Sequence, residues 1–187
     1  MLSEKIFREY DIRGIVDKDL TDEVVYDIGR GYGSMCREEG ISRFVVGGDC
    51  RLSTPRFIEA IIDGLRSTGG SVINVGIVPT PVLYFGLHNL DVQAGFMITG
   101  SHNPPEYNGL KVCKGKKTLF GNQIKELYDY IIKGNFAKGS GSVEKQNIID
   151  RYIEKVISGI HFDRKIRVTA KKICHEENQR KDCKKTI

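Results

Sequence analysis

Short apolar runs alternate with amphipathic stretches along most of the chain. Phe44-Val45-Val46-Gly47, Val72-Ile73-Asn74-Val75 and Gly95-Phe96-Met97-Ile98 are brief and rich in β-branched or aromatic residues. None alternates strictly with polar residues, which is the pattern of strands covered on both faces. Between them, Val25, Ile28, Tyr32 and Met35 recur at three- and four-residue spacing behind a cap at Thr21 or Asp22. Phe57, Ile58, Ile61, Ile62 and Leu65 repeat that spacing, with Thr54-Pro55 as the start signal and Gly69-Gly70 as the stop. A shorter helix starts at Thr80-Pro81 and runs through Leu83, Phe85 and Leu87. Gly109-Leu110-Lys111-Val112 reads as another strand. Two more helical patterns come after it, one on Ile124, Leu127, Tyr128 and Ile131, the other on Ile149, Ile153, Val156 and Ile157. Alternating strands and helices predict an α/β domain, a mixed, largely parallel sheet layered with helices.

The segment 134–146, GNFAKGSGSVEKQ, reads as an exposed loop. A helix over 145–159 comes next and bridges out of the first domain. Lys165-Ile166-Arg167-Val168 then starts a new strand, and the pattern stops. From Thr169 to Ile187 the only large aliphatic residues are Ile173 and Ile187. Such a segment cannot bury enough apolar area to offset its ordering entropy, so a disordered tail is expected. The expected organisation is one domain over 1–160, with 161–187 as the remnant of a second domain's first strand plus a basic tail.

Composition narrows the class. The 187 residues are 40% hydrophobic and 28% charged, enough apolar material for a core and against global disorder. No run approaches the roughly 20 apolar residues of a membrane helix. The N-terminus is charged from residue 4 onward and lacks the apolar run of a secretory signal. The net charge of +5 belongs mostly to the end of the chain: residues 167–187 hold seven Lys/Arg and three Asp/Glu, and the rest is close to neutral. That distribution argues against nucleic acid as the main partner, although the tail could hold polyanions weakly. Five cysteines, odd in number and never in a CxxC pair, argue against a disulfide scaffold or zinc ribbon and fit a reducing cytoplasm.

The most informative stretch is Thr99-Gly100-Ser101-His102-Asn103-Pro104-Pro105, directly after a predicted strand. Open α/β sheets place ligands at such carboxyl ends. Gly100 permits an unusual backbone angle, and Pro104-Pro105 stiffens the far side of the loop. A hydroxyl beside an imidazole on a stiff loop suits an activated nucleophile. The same residues would also make a polar turn whose Ser and Asn simply bond the backbone, and local chemistry leaves both readings open.

TGSHNPPEYNGLKV resembles the active-site serine loop of the α-D-phosphohexomutases, the phosphomannomutase/phosphoglucomutase family. Phe7-Arg8-Glu9-Tyr10-Asp11-Ile12-Arg13-Gly14, Gly48-Asp49-Cys50-Arg51-Leu52-Ser53 and Val78-Pro79-Thr80-Pro81 are similar, in order, to that family's YDIRG, GxDxRxS and PTP segments. The resemblance spans residues 1–160, the family's first domain. It implies that Ser101 carries a phosphoryl group. It also implies interconversion of hexose 1-phosphate and hexose 6-phosphate, of mannose or glucose, through a bound hexose 1,6-bisphosphate. Mg²⁺ is the implied cofactor, held in part by an oxygen of the Ser101 phosphate. Arg13 is implied to spread the charge of the transferring group, against the alternative of an arginine that merely ties down the first strand. Lys111 is implied as general acid/base or transition-state cation, against a solvated strand lysine. Tyr10 would border the sugar, against a half-buried core position. His102 would assist proton traffic or orient the phosphate. Asp49, Arg51 and Asn103 would support the loop.

The family's remaining domains bring three metal-binding aspartates, the sugar-hydroxyl contacts and the clamp for the other phosphate. No DxDxD pattern occurs in the 187 residues, so the chain is expected to be inactive alone and the choice of hexose is not legible. The abrupt change after Val168 suggests a frameshift or interrupted reading frame, which resequencing the coding DNA would decide. The alternative is a non-catalytic sugar-phosphate-binding or partner-binding module.

Overall fold

The computed structural model describes residues 2–160. The strand expected at 165–168 and the tail at 169–187 lie outside the described residues. After a 3-10 turn at Glu4–Ile6 the elements run β1 (Ile12–Ile15), α1 (Asp22–Glu38), β2 (Arg43–Gly48), α2 (Thr54–Ser67), β3 (Ser71–Ile77), α3 (Thr80–Asn89) and β4 (Ala94–Ile98). They continue with β5 (Tyr107–Lys114), β6 (Lys117–Thr118), α4 (Asn122–Lys133), β7 (Val143–Lys145) and α5 (Ile149–Ser158).

The strands form one sheet in the order β1-β5-β4-β2-β3-β7, with β6 on β5. The β4-β2-β3-β7 half is parallel throughout, whereas β5 runs antiparallel to β4, β1 and β6. The sheet is therefore mixed, as the pattern predicts. Helices α1, α2 and α4 cover one face, packing Ile28, Phe57, Ile61 and Leu127 against Val46 and Phe96. On the other face α3 and α5 pack Val82, Leu83 and Tyr152 against Val45 and Met97. Adjacent strand residues Val45/Val46 and Phe96/Met97 thus enter opposite cores, which is why those runs show no polar alternation. Each fully buried side chain of this size contributes about 1.5–3 kcal/mol.

Helix α1 starts where Thr21 Oγ1 accepts from the Val24 amide at 3.3 Å. It meets α2 backbone to backbone. A Cβ at Gly29 would press on the Ile61 carbonyl, and one at Gly64 on the Tyr26 carbonyl, so glycine sets how closely these helices approach.

Two expectations are corrected. The segment 134–146 is exposed, but its end is a strand: β7 lies parallel to β3, with Val72 N donating to Ser142 O at 2.9 Å and Gln146 N to Asn74 O at 3.0 Å. Three exposed residues carry too little pattern to reveal a strand; pairing with β3 decides it. The helix expected over 145–159 consequently starts later, at Ile149, where the Asn147 side chain accepts from the Ile149 amide at 2.9 Å.

Candidate active site

Strand β2 sits between β3 and β4. The chain leaves it towards β3 through α2 on one face, then returns past it to β4 through α3 on the other. The loops after β2 and β4 therefore diverge at a topological switch point, where open α/β sheets form their ligand crevices. Those loops hold Asp49–Ser53 and Thr99–Glu106, and their side chains interlock.

Ser101 adopts φ 54°, in the left-handed region that few non-glycine residues visit. Its amide donates to Thr99 Oγ1 at 2.9 Å, and Asn103 donates from both its amide and its Nδ2 to the Gly100 carbonyl at 3.0 Å. The turn of the backbone leaves Ser101 and His102 exposed, with Ser101 Oγ and His102 Nδ1 3.2 Å apart. With Nδ1 unprotonated the serine hydroxyl donates, so the imidazole is placed to draw off its proton.

The loop is braced from beneath by Arg51, which is 7% exposed. One terminal nitrogen donates to the carbonyls of Pro104 and Tyr107 at 2.7 and 2.8 Å. The other donates to those of Asn103 and Ser101 at 2.6 and 3.3 Å. Asp49 completes the brace. Its Oδ2 lies 3.4 Å from Arg51 Nε and accepts from the Gly100 amide at 3.1 Å, while Oδ1 accepts from Thr54 Oγ1 at 2.8 Å. A side chain at position 100 would overlap the Arg51 guanidinium, so Gly100 is required for this close approach. Buried Asn108 donates to Ser53 Oγ at 2.8 Å and to Thr54 Oγ1 at 3.2 Å. Sequence alone does not single out Thr99, Thr54 and Asn108, because polar residues of this kind are common and only their contacts mark them.

On the α3/α5 face, β1 and β5 bring the cations forward. Arg13 is opposite Gly109, and the Gly109 carbonyl accepts from the Thr99 amide at 2.9 Å, two residues before Ser101. Lys111, two positions further along β5, is opposite Met97. Arg13 Nη2 donates to Asp11 Oδ2 at 2.5 Å, and Lys111 Nζ lies 3.9 Å from the same oxygen. Both cations are largely covered, with side-chain exposures of 12% and 26%, so Lys111 is not a freely solvated lysine. Tyr10 is 67% exposed, which sets aside a half-buried core role for it. Asp11 belongs to the YDIRG segment, yet the sequence assigns it no part in the site; its contacts do.

Among the described residues no three His, Cys, Asp or Glu side chains stand together as a cation site. The Ser101 oxygen alone does not fit Mg²⁺, which takes near-octahedral oxygen coordination.

An exposed serine beside a histidine stands on a braced loop at the carboxyl end of a parallel strand, and the neighbouring strands carry a covered Arg–Lys pair, an arrangement chemically suited to holding an anionic group. The profile of the phosphoglucomutase/phosphomannomutase α/β/α domain I matches residues 4–138. This chain belongs to that family. It is 44% identical to a phosphoglucomutase of Neisseria gonorrhoeae, over 89% of this chain and 37% of that protein. It is also 44% identical to a phosphomannomutase/phosphoglucomutase of Pseudomonas aeruginosa, over 89% and 36%. The fold matches a phosphoglucomutase/phosphomannomutase family protein of Burkholderia thailandensis with a TM-score of 0.84 and 42% identity, covering 88% of this chain and 38% of the other. The chain thus spans a little over a third of the length of the relatives it matches. No helix among the described residues is long and apolar enough to cross a membrane.

Proposed function

We propose that this chain is the serine-loop domain of a hexose-phosphate mutase, with Ser101 Oγ as the phosphoryl carrier. The observation that carries the reading is the position of Ser101: an exposed hydroxyl on a loop fixed by Arg51 and Asp49, next to the strands that present Arg13 and Lys111. In the first half-reaction a hydroxyl oxygen of a hexose phosphate bonds to phosphorus as the bond from phosphorus to Ser101 Oγ breaks. The sugar hydroxyl's proton passes to a base, for which His102 is the candidate, the departing Ser101 Oγ takes up a proton, and the product is a hexose 1,6-bisphosphate. The second half-reaction returns the other phosphoryl group to Ser101. Arg13 and Lys111 neutralise charge on the transferring oxygens, and Tyr10 borders the sugar.

Residues 1–160 constitute this domain, with α5 leading out of it, and the chain alone does not turn over hexose phosphates. Free Cys36, Cys50 and Cys113 suit a reducing compartment such as the cytoplasm. The test is a chimera in which residues 1–160 replace the first domain of the Pseudomonas relative. In magnesium buffer, with hexose 1-phosphate and catalytic 1,6-bisphosphate, it is expected to turn over and to lose at least about a thousandfold in kcat with Ser101→Ala. A folded chimera whose turnover survives that substitution would overturn the reading.

A further inference from the structure

Asp11 is 9% exposed, and its one carboxylate faces two cations. It does not saturate either of them. Arg13 uses a single terminal nitrogen for the bond, and its Nε is buried without any hydrogen-bond partner. Lys111 stands at 3.9 Å, beyond hydrogen-bond reach, held by charge alone. One negative charge against two positive ones leaves a net positive charge in a covered place. Two long cationic side chains would otherwise repel each other and spread over many rotamers. The shared oxygen holds them together on the sheet face where Gly109 joins Arg13 to Thr99 and the serine loop.

We propose that Asp11 is a positioning residue of the phosphoryl-transfer site: its carboxylate ties Arg13 and Lys111 into one cationic pair with donors left over for an incoming phosphoryl group. Its place in the reaction rests on the mutase reading, whereas the tethering itself does not. Asp11 touches no reacting atom; it fixes where the two cations stand before the phosphoryl group moves.

The tether is tested on the full 187-residue chain by side-chain NMR of arginine. In the unsubstituted chain the Arg13 Nε–H signal is dispersed and exchanges slowly with water. Asp11→Asn, close to isosteric but uncharged, moves that signal to the position of a free arginine and speeds its exchange by at least about tenfold, while backbone amides away from residues 9–14 and 107–112 stay in place. Asp11→Glu, which keeps the charge, restores a dispersed signal. If Asp11→Asn leaves Arg13 dispersed and slowly exchanging, the proposal is overturned, whatever the chain's activity.

Carried into the chimera with the Pseudomonas relative, Asp11→Asn lowers kcat by about tenfold or more with KM changed less than about twofold, and Asp11→Glu recovers part of the loss. A mobilised Arg13 with unchanged kcat would overturn the role in transfer. An inactive parent chimera with correct folding would overturn the mutase reading instead and leave the tether to the NMR result. Should Asp11→Asn prevent folding, Lys111→Met supplies the second arm: Arg13 stays dispersed if Asp11 holds it, and is released if Lys111 does.

Discussion

Arg51 Nη2 donates to the Asn103 carbonyl at 2.6 Å, joining residues 52 positions apart in sequence. With its three other carbonyl partners, this bond makes a side chain from the β2 loop the floor of the serine loop. Arg51→Ala leaves those carbonyls without their donor and empties a buried site, so a loss of about 3 kcal/mol in unfolding free energy is expected. Arg51→Lys keeps the charge but not the planar fork and recovers less than half of it. Denaturant midpoints give the losses. Amide exchange at 101–107 should quicken in both variants, before any change in α1 or α4.

The φ of 54° at Ser101 carries a cost that a glycine would not bear. Ser101→Gly is therefore expected to stabilise the chain by up to about 1 kcal/mol relative to Ser101→Ala, by thermal melts under one buffer. Equal stability of the two variants would show that the loop relaxes and holds no strain. A serine kept where glycine is more stable marks the hydroxyl as the reason for the residue.

The buried thiols give a pH signature. Burial pushes Cys113 up from 9.0 to about 11, and pushes Cys36 up to about 12. The native state keeps both protonated where the unfolded chain ionises. Their contribution is whole below about 9 and is lost as pH rises towards 11 for Cys113 and towards 12 for Cys36, so the denaturation midpoint should fall across that window under reducing conditions. Burial raises the Tyr32 phenol as well, in the same sense. In native alkylation at about pH 8 followed by peptide mass spectrometry, exposed Cys50 should react and Cys36 and Cys113 should not. Alkylation of Cys113 at the Cys50 rate would contradict the packing of β5.

Most of the helices and the central strands are legible in the sequence because their apolar residues repeat with a period set by the cores they enter. Ile28, Phe57 and Leu127 mark helix faces, and Val45/Val46 mark a strand buried on both sides. β7 is not legible, since Val143-Glu144-Lys145 is exposed throughout and is a strand only through its bonds to β3. The site divides in the same way. Ser101, Arg13 and Lys111 stand out through the serine-loop and YDIRG segments, and Asp49 and Arg51 through the GxDxRxS segment. Asp11 and Asn108 matter through contacts with residues far away in sequence, Lys111 and Ser53 among them, which no local pattern encodes.

Ser101 Oγ as the proposed phosphoryl carrier is tested most directly by phosphopeptide mapping of the chimera after incubation with hexose 1,6-bisphosphate. No Lys or Arg lies between Arg66 and Lys111, so trypsin releases Ser101 within the single peptide 67–111. The expected result is one phosphate in that peptide, localised to Ser101 by fragmentation and removed on adding excess hexose 1-phosphate. A phosphate on any other residue, or none in a chimera that turns over, would contradict the claim.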